Sequence, residues 1–249
     1  MKRSRYFINS LEKGFSILST FSDQKHRLTL TELARTKQMT LGTAHRYLLT
    51  LKELGFVSQD EDKKYRLTPK VLSFGFSALK NMDLRTRVLP HMIKITKERD
   101  VTTQCAILEG VEIIYVERVR STDVVNLDLT VGSRLPAYGT AMGKAILAFM
   151  NEDHTRKIID QMKLVSLTPY TITNKKALWK ELVETRRRGY AINNQELALG
   201  LRTLAAPIFS EGKVEAAIGV SFPTYRIEGN NLESQLVKEM LKIARKVSL

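Results

Sequence analysis

The sequence predicts an α+β protein of two domains, and three observations carry that prediction. Its 249 residues exceed one small module and suit two domains of ordinary size. Residues 1–80 read as three amphipathic helices followed by two short strand-like runs around a charged tip. From Thr102 onward the pattern changes to strands alternating with helices.

The first helix is expected from about Ser10 to Phe21, with Leu11, Phe15, Leu18 and Phe21 as its apolar stripe. Asp23 to Arg27 is a polar break. Thr29 stands three residues before Glu32, a capping-box spacing that opens a second helix, Leu30 to Lys37, with Leu33 and Ala34 inward. Thr40 caps a third helix with Leu41, Ala44, Leu48 and Leu51 as its buried stripe, and Gly55 supplies the stop. Strands Phe56–Gln59 and Tyr65–Thr68 flank Asp60-Glu61-Asp62-Lys63-Lys64, a hairpin tip too charged for any core to bury. Three helices and then a hairpin, in that order, make a winged helix-turn-helix over residues 1–68.

Thr68-Pro69 places a cap before a proline at the first helical position, so a connecting helix is expected within residues 69–82. A larger domain, 83–249, follows. It opens on an amphipathic helix from Asp83 to Arg99 bearing Leu84, Val88, Met92 and Ile95, which Pro90 is expected to kink or restart. Strands are expected at Thr103–Leu108, Ile113–Val119, Asn126–Val131, Tyr190–Asn193, Thr203–Phe209 and Val214–Phe222. Helices are expected at Ala141–Met150, Glu152–Met162, Asn174–Arg188 and Leu232–Val247.

Composition narrows the partners. The net charge of +14 is costly in self-repulsion and points to a polyanion, and residues 1–80 hold 15 Lys/Arg against 7 Asp/Glu. The basic end is therefore the helix-turn-helix. Apolar runs such as Ala216–Val220 fall far short of the roughly 20 residues a membrane span needs. The basic N-terminus lacks a following apolar signal segment, so a cytoplasmic location with no membrane partner is expected. A single cysteine, Cys105, excludes an intramolecular disulfide and a thiolate metal cage.

In a helix-turn-helix the second helix of the motif enters the major groove by its N-terminal half. Thr40, Gly42, Thr43, His45 and Arg46 occupy that half here; Arg46 suits guanine or phosphate, and Gly42 permits close approach. Lys63 and Lys64 at the wing tip and Lys2, Arg3 and Arg5 in the tail suit phosphate, although such clusters are commonly only solvated. Chemistry of other kinds is thin. His26, His45, His91 and His154 have no metal-ligand spacing, and no serine sits in a nucleophile elbow. Gly139-Thr140-Ala141-Met142-Gly143-Lys144 misses the phosphate-loop spacing by one residue and is followed by Ala145. It still reads as a loop opening a helix whose N–H groups suit an anion. Lys144 is expected to point to solvent from an exposed helix face. Arg186-Arg187-Arg188 is read as favouring its own helix C-terminus. No cofactor is implied, and no enzyme.

The chain closely resembles the IclR family of bacterial regulators. The resemblance rests on Ser10-Leu11-Glu12-Lys13-Gly14, Leu30-Thr31-Glu32-Leu33-Ala34, His45-Arg46-Tyr47-Leu48, Val131-Gly132-Ser133-Arg134-Leu135-Pro136, Thr140–Ala145 and Gly200-Leu201-Arg202 with Ala205-Ala206-Pro207, and it covers residues 8–225 in family order. It implies a winged helix, a linker helix and a GAF- or profilin-like antiparallel sheet with helices. It also implies a homodimer or homotetramer on palindromic double-stranded promoter DNA, responding to a small organic acid. The effector pocket implied lies over Gly139, Thr140, Ala141 and Met142, along strands carrying Thr203, Ala205 and Ser221, near Glu196. This chain offers Gly139, Pro207 and Gly219 where many relatives carry polar or thiol residues, so ligand identity does not transfer. The stretch from Val131 to Ala148 looks most like the branch that senses aromatic acids, which makes an aromatic carboxylate the expected partner. Two other classes stand beside this reading: an enzyme with an accessory basic domain, and an architectural DNA-binding protein without ligand.

Overall fold

A computed structural model describes residues 4–21, 25–122, 127–227 and 231–249. The chain divides into two compact units, Met1–Asn81 and Met82–Leu249, so residues 69–81 group with the first unit.

The first unit orders α1 (Asn9–Leu18), α2 (Leu30–Thr36), α3 (Leu41–Glu53), β1 (Val57–Gln59), β2 (Tyr65–Leu67) and α4 (Leu72–Lys80). Its helix ends are set by local chemistry. Thr29 and Glu32 form the reciprocal capping box, each side chain accepting from the other residue's backbone N–H. Thr40 caps α3 by accepting from the Thr43 amide. Gly55, at φ +75°, ends α3 as a Schellman turn: its N–H reaches Lys52 O and the Phe56 N–H reaches Leu51 O. Pro69–Val71 is a 3-10 turn capped by Thr68, and α4 continues from it.

Ile17, Leu33, Ala44, Leu48, Val57 and Tyr65 build this unit's core. Two expected stripes are corrected. Leu11 and Phe15 are exposed, and α1 buries Ile17 instead. Leu41 is exposed as well, because the side chain of a first helical residue leans back beyond the helix end, past the core.

The second unit is a six-stranded antiparallel sheet in the order β5-β4-β3-β8-β7-β6. The strands are β3 (Thr102–Glu109), β4 (Glu112–Val119), β5 (Arg134–Pro136), β6 (Ala191–Asn194), β7 (Leu201–Ser210) and β8 (Lys213–Pro223). On one face lie α5 (Asp83–Arg99) and α9 (Leu232–Val247); the other carries α6 (Ala141–Phe149), with α7 (Glu152–Gln161) and α8 (Lys175–Arg188) packed around it. An α+β architecture with a helix-turn-helix followed by an antiparallel sheet and helices is what the sequence predicts.

Local departures have physical causes. The strand expected at Asn126–Val131 does not form over its described part: Leu127–Thr130 pairs with no strand. The Leu129 carbonyl instead accepts from the Arg118 and Arg120 side chains, and Gly132 turns the chain at φ +90°. Sheet pairing resumes only at Arg134. Asn126 itself lies outside the described residues. Pro90 sits within an uninterrupted α5, so no restart occurs. Arg186, in the last turn of α8, also donates from its guanidinium to Ala148 O of α6 and to Met150 O at the cap of that helix.

Candidate DNA-reading face and effector cavity

On α3 the buried side, Ala44, Leu48 and Leu51, fixes which residues face out. Gly42, His45 and Arg46 are exposed, and Thr43 is half-buried. Arg46 and His45 make no side-chain hydrogen bond or ion pair among the described residues, so both are available to an outside partner. A Cβ built on Gly42 meets nothing within 4 Å, so packing does not require glycine there. Thr40 commits its hydroxyl to the cap, donating to Thr43 Oγ1 at 2.9 Å. The wing is held to the helices by Arg27, which donates to Asp60 Oδ2 from Nε at 2.8 Å and also pairs with Asp62. That clamp leaves Lys63 exposed and Lys64 half-buried at the tip. Lys2 and Arg3 lie outside the described residues, and Arg5 turns onto its neighbour Tyr6.

In the second unit a cavity lies between the start of α6 and the sheet. Gly143 makes it possible: a Cβ there would stand 2.2 Å from Ala137 O, so only glycine lets α6 pack down on the 3-10 turn Ala137–Gly139. Thr140 caps α6 by accepting from Gly143 N at 3.0 Å. The amides of Ala141 and Met142, at the first two helical positions, remain uncommitted at the cavity wall. Thr203 and Ser221 stand opposite on adjacent strands, their hydroxyls 2.7 Å apart, and Gln104 Nε2 donates to Ser221 Oγ. The cavity volume is about 30 Å³.

Of the residues implied by resemblance, Thr140, Ala141, Met142, Thr203 and Ser221 line this cavity. Gly139, Glu196 and Ala205 do not: Gly139 lies behind the wall, accepting from Asn193 Nδ2 at 2.6 Å, and Ala205 is in the core. Glu196 is engaged elsewhere. Lys144, expected to reach solvent, is wholly buried and donates to Glu196 Oε1 at 2.5 Å. The solvent reading fails because α6 is packed on every side; all of Ala141–Ala148 is buried. Burial pushes the Glu196 carboxyl above its ordinary range, against the opposing pull of Lys144. Cys105 is buried and its thiol pushed up by desolvation, a state without nucleophilic use.

Among the cavity residues that sequence reasoning missed are the polar side chains of Gln104, Tyr115, Arg118 and Asn193. Strict alternation along β4 would put Tyr115 and Arg118 on opposite faces. A bulge intervenes: Cys105 pairs with Glu117 and Ala106 with Tyr115, so Val116 is skipped and both side chains face α6. No residue type in the strand signals this.

No group of residues that could hold a metal occurs among the described residues, and no helix there is long and apolar enough to cross a membrane. Two family models match the chain: the IclR helix-turn-helix domain over residues 10–61 and the bacterial transcriptional regulator IclR C-terminal domain over residues 76–249. The Pca regulon regulatory protein of Pseudomonas putida is 31% identical over 96% of this chain and 82% of its own length. The regulator KdgR of Escherichia coli is 33% identical over 97% of this chain and 92% of its own. An IclR homologue from Microbacterium hydrocarbonoxydans, solved with 4-hydroxybenzoate, superposes with a TM-score of 0.79 at 26% identity, covering 96% of this chain and 97% of that one. These relatives are regulators rather than enzymes, and their likeness spans both units. The chain belongs to the IclR family of bacterial transcriptional regulators, with a DNA-binding helix-turn-helix unit and a C-terminal ligand-binding unit.

Proposed function

We propose that this regulator acts in the cytoplasm, binds a palindromic operator as a dimer or a pair of dimers, and changes its grip on DNA when a small carboxylate enters the C-terminal cavity. The observation that carries the reading is the polar cavity itself. Its wall joins the free amides of α6 to the paired hydroxyls of Thr203 and Ser221. A helix N-terminus favours a ligand of negative charge, and the hydroxyls suit its polar oxygens. Thr140, Ala141, Met142, Thr203 and Ser221 are the contacts proposed here, with Gly139 and Glu196 supporting the wall from behind and Ala205 packing beneath it.

An aromatic acid is the favoured class, because a relative binds 4-hydroxybenzoate and another regulates a Pca regulon. At about 30 Å³ the cavity holds only about two waters, so an aromatic ring enters by displacing its wall. On the DNA side, Thr40, Gly42, Thr43, His45 and Arg46 are proposed to face the major groove and Lys63 and Lys64 the phosphates. The two-fold symmetry of a palindrome demands at least a dimer. The exposed apolar side chains of Leu11, Phe15, Leu54 and Phe74, which line one groove of about 490 Å³ in the first unit, suit a second copy.

The test is a thermal-shift screen of the full chain against aliphatic and aromatic acids. A true effector at 100 times its dissociation constant stabilises the protein by about 2.7 kcal/mol, which a melt reads easily. A screen in which no acid moves the melt removes the reading.

A further inference from the structure

The strongest uncommitted groups in the cavity are not those of the helix terminus. Tyr115 is 2% exposed and lines the cavity, yet its hydroxyl makes no hydrogen bond among the described residues. Its oxygen is not sealed in the core but opens on the cavity, where it can donate to a ligand. Beside it stands Arg118, brought to the same face by the bulge at Val116. Arg118 donates from Nη1 to Leu129 O, but its Nε–H is buried with no partner, and no carboxylate pairs with it among the described residues. Other part-buried guanidiniums of this unit have one: Arg85 and Arg87 on α5 hold Glu117 and Glu215, and Arg202 on β7 holds Glu233. Desolvation pulls the Arg118 guanidinium below its ordinary range and Arg120 adds to that effect, against the opposing pull of Tyr115 and Asp128. A half-buried cation that forms no salt bridge among the described residues, next to a phenol open to the cavity, describes the complement of an anion.

We infer that Arg118 and Tyr115 form the acid-binding end of the cavity and hold the carboxylate of its ligand. This inference rests on the effector reading above and assigns the carboxylate within it. The Arg118 Nε–H and the Tyr115 O–H donate to the carboxylate oxygens. Arg118 is paired across the ladder with Gln104, whose amide donates to Ser221 and so continues to Thr203 on the next strand. That line of amide and hydroxyls receives the ligand's second polar group, one to three strand spacings of roughly 5 Å from the acid. Bound carboxylate also offers Arg118 a charge-assisted acceptor in place of the neutral Leu129 carbonyl, which now ties the Leu127–Leu129 stretch across the cavity.

The experiment titrates the full chain calorimetrically with 4-hydroxybenzoate and pyruvate, and with the neutral amides of both. Wild type should bind at least one acid and prefer it over its amide by more than 10-fold. Arg118→Gln should weaken acid binding by roughly 10- to 100-fold and erase the preference over the amide, with Arg118→Lys recovering part of it. Tyr115→Phe, which keeps the ring and its packing, should weaken the acid by roughly 5- to 10-fold and decides the matter if Arg118→Gln fails to fold. Undiminished acid affinity in a folded Arg118→Gln chain, or in Tyr115→Phe, overturns the assignment while leaving the effector reading intact. If neither acid binds wild type, both fall together.

Discussion

Replacing Glu196 by alanine should destabilise the second unit sharply, because it strands the ammonium of Lys144. Lys144 is 0% exposed and its Nζ lies 2.5 Å from Glu196 Oε1. The next carboxylate, Glu181, is 3.9 Å away and already holds Arg188 at 2.6 Å. Removing one partner of a buried pair costs about 3–5 kcal/mol. The residual attraction to Glu181 sets the expectation at the lower end, about 3 kcal/mol. For a unit of this size that is a drop of roughly 6–12 °C in Tm. The assay is unfolding followed by tryptophan fluorescence at neutral pH. The chain's one tryptophan, Trp179, packs on the core of the second unit and reports it alone. Lys144→Met should cost less than Glu196→Ala, and the double variant Lys144→Met/Glu196→Leu should recover most of the loss, since an apolar pair of similar volume needs no desolvation. Additive losses in the double variant would refute the pair as the cause. The pH dependence follows from the direction of the Glu196 shift. A carboxyl raised by burial holds its proton more tightly when folded, so its contribution is complete below the ordinary carboxylate range and falls as pH rises through the raised value. Glu196→Gln should flatten that decline.

Three further outcomes are expected. Arg46→Ala should weaken operator binding by roughly 1–3 kcal/mol and relax sequence preference, whereas Lys63→Ala with Lys64→Ala should weaken all DNA alike and lower the salt slope by about two, both read by fluorescence anisotropy across salt concentrations. Thr29→Ala should cost the first unit about 1 kcal/mol through loss of the cap that accepts from Glu32 N, read as an earlier circular-dichroism transition. Light scattering at micromolar concentration should give at least a dimer, and Leu11→Glu with Phe15→Glu should shift it toward monomer.

What the sequence made legible was local. Caps at Thr29, Thr40 and Thr68 and the glycine stop at Gly55 depend on neighbours within a few residues, and each forms as read. Long-range chemistry stayed hidden. Lys144 meets Glu196 across 52 residues, so a helix position taken alone gives a solvated lysine. Tyr115 and Arg118 share a face only through one skipped residue in a ladder, which no alternation pattern reports. The strand misplaced at Asn126–Val131 had the right apolar residues, but Leu129 gives its carbonyl to Arg118 and Arg120 in place of a neighbouring strand. The α1 stripe failed because Leu11 and Phe15 mark an exposed apolar face that helical spacing cannot distinguish from a buried one.

The proposed function requires that the occupied cavity and the DNA-reading face be energetically linked. Affinity of the full chain for the DNA upstream of its own gene is measured by anisotropy, with and without a saturating acid from the calorimetric titration, beside a scrambled duplex of equal length. Preference for the upstream duplex is expected, with a change in its affinity of roughly 5- to 150-fold on adding acid and the reciprocal change in acid affinity on adding DNA. Equal binding to the scrambled duplex, or an acid that binds the cavity yet leaves DNA affinity unmoved, would contradict it.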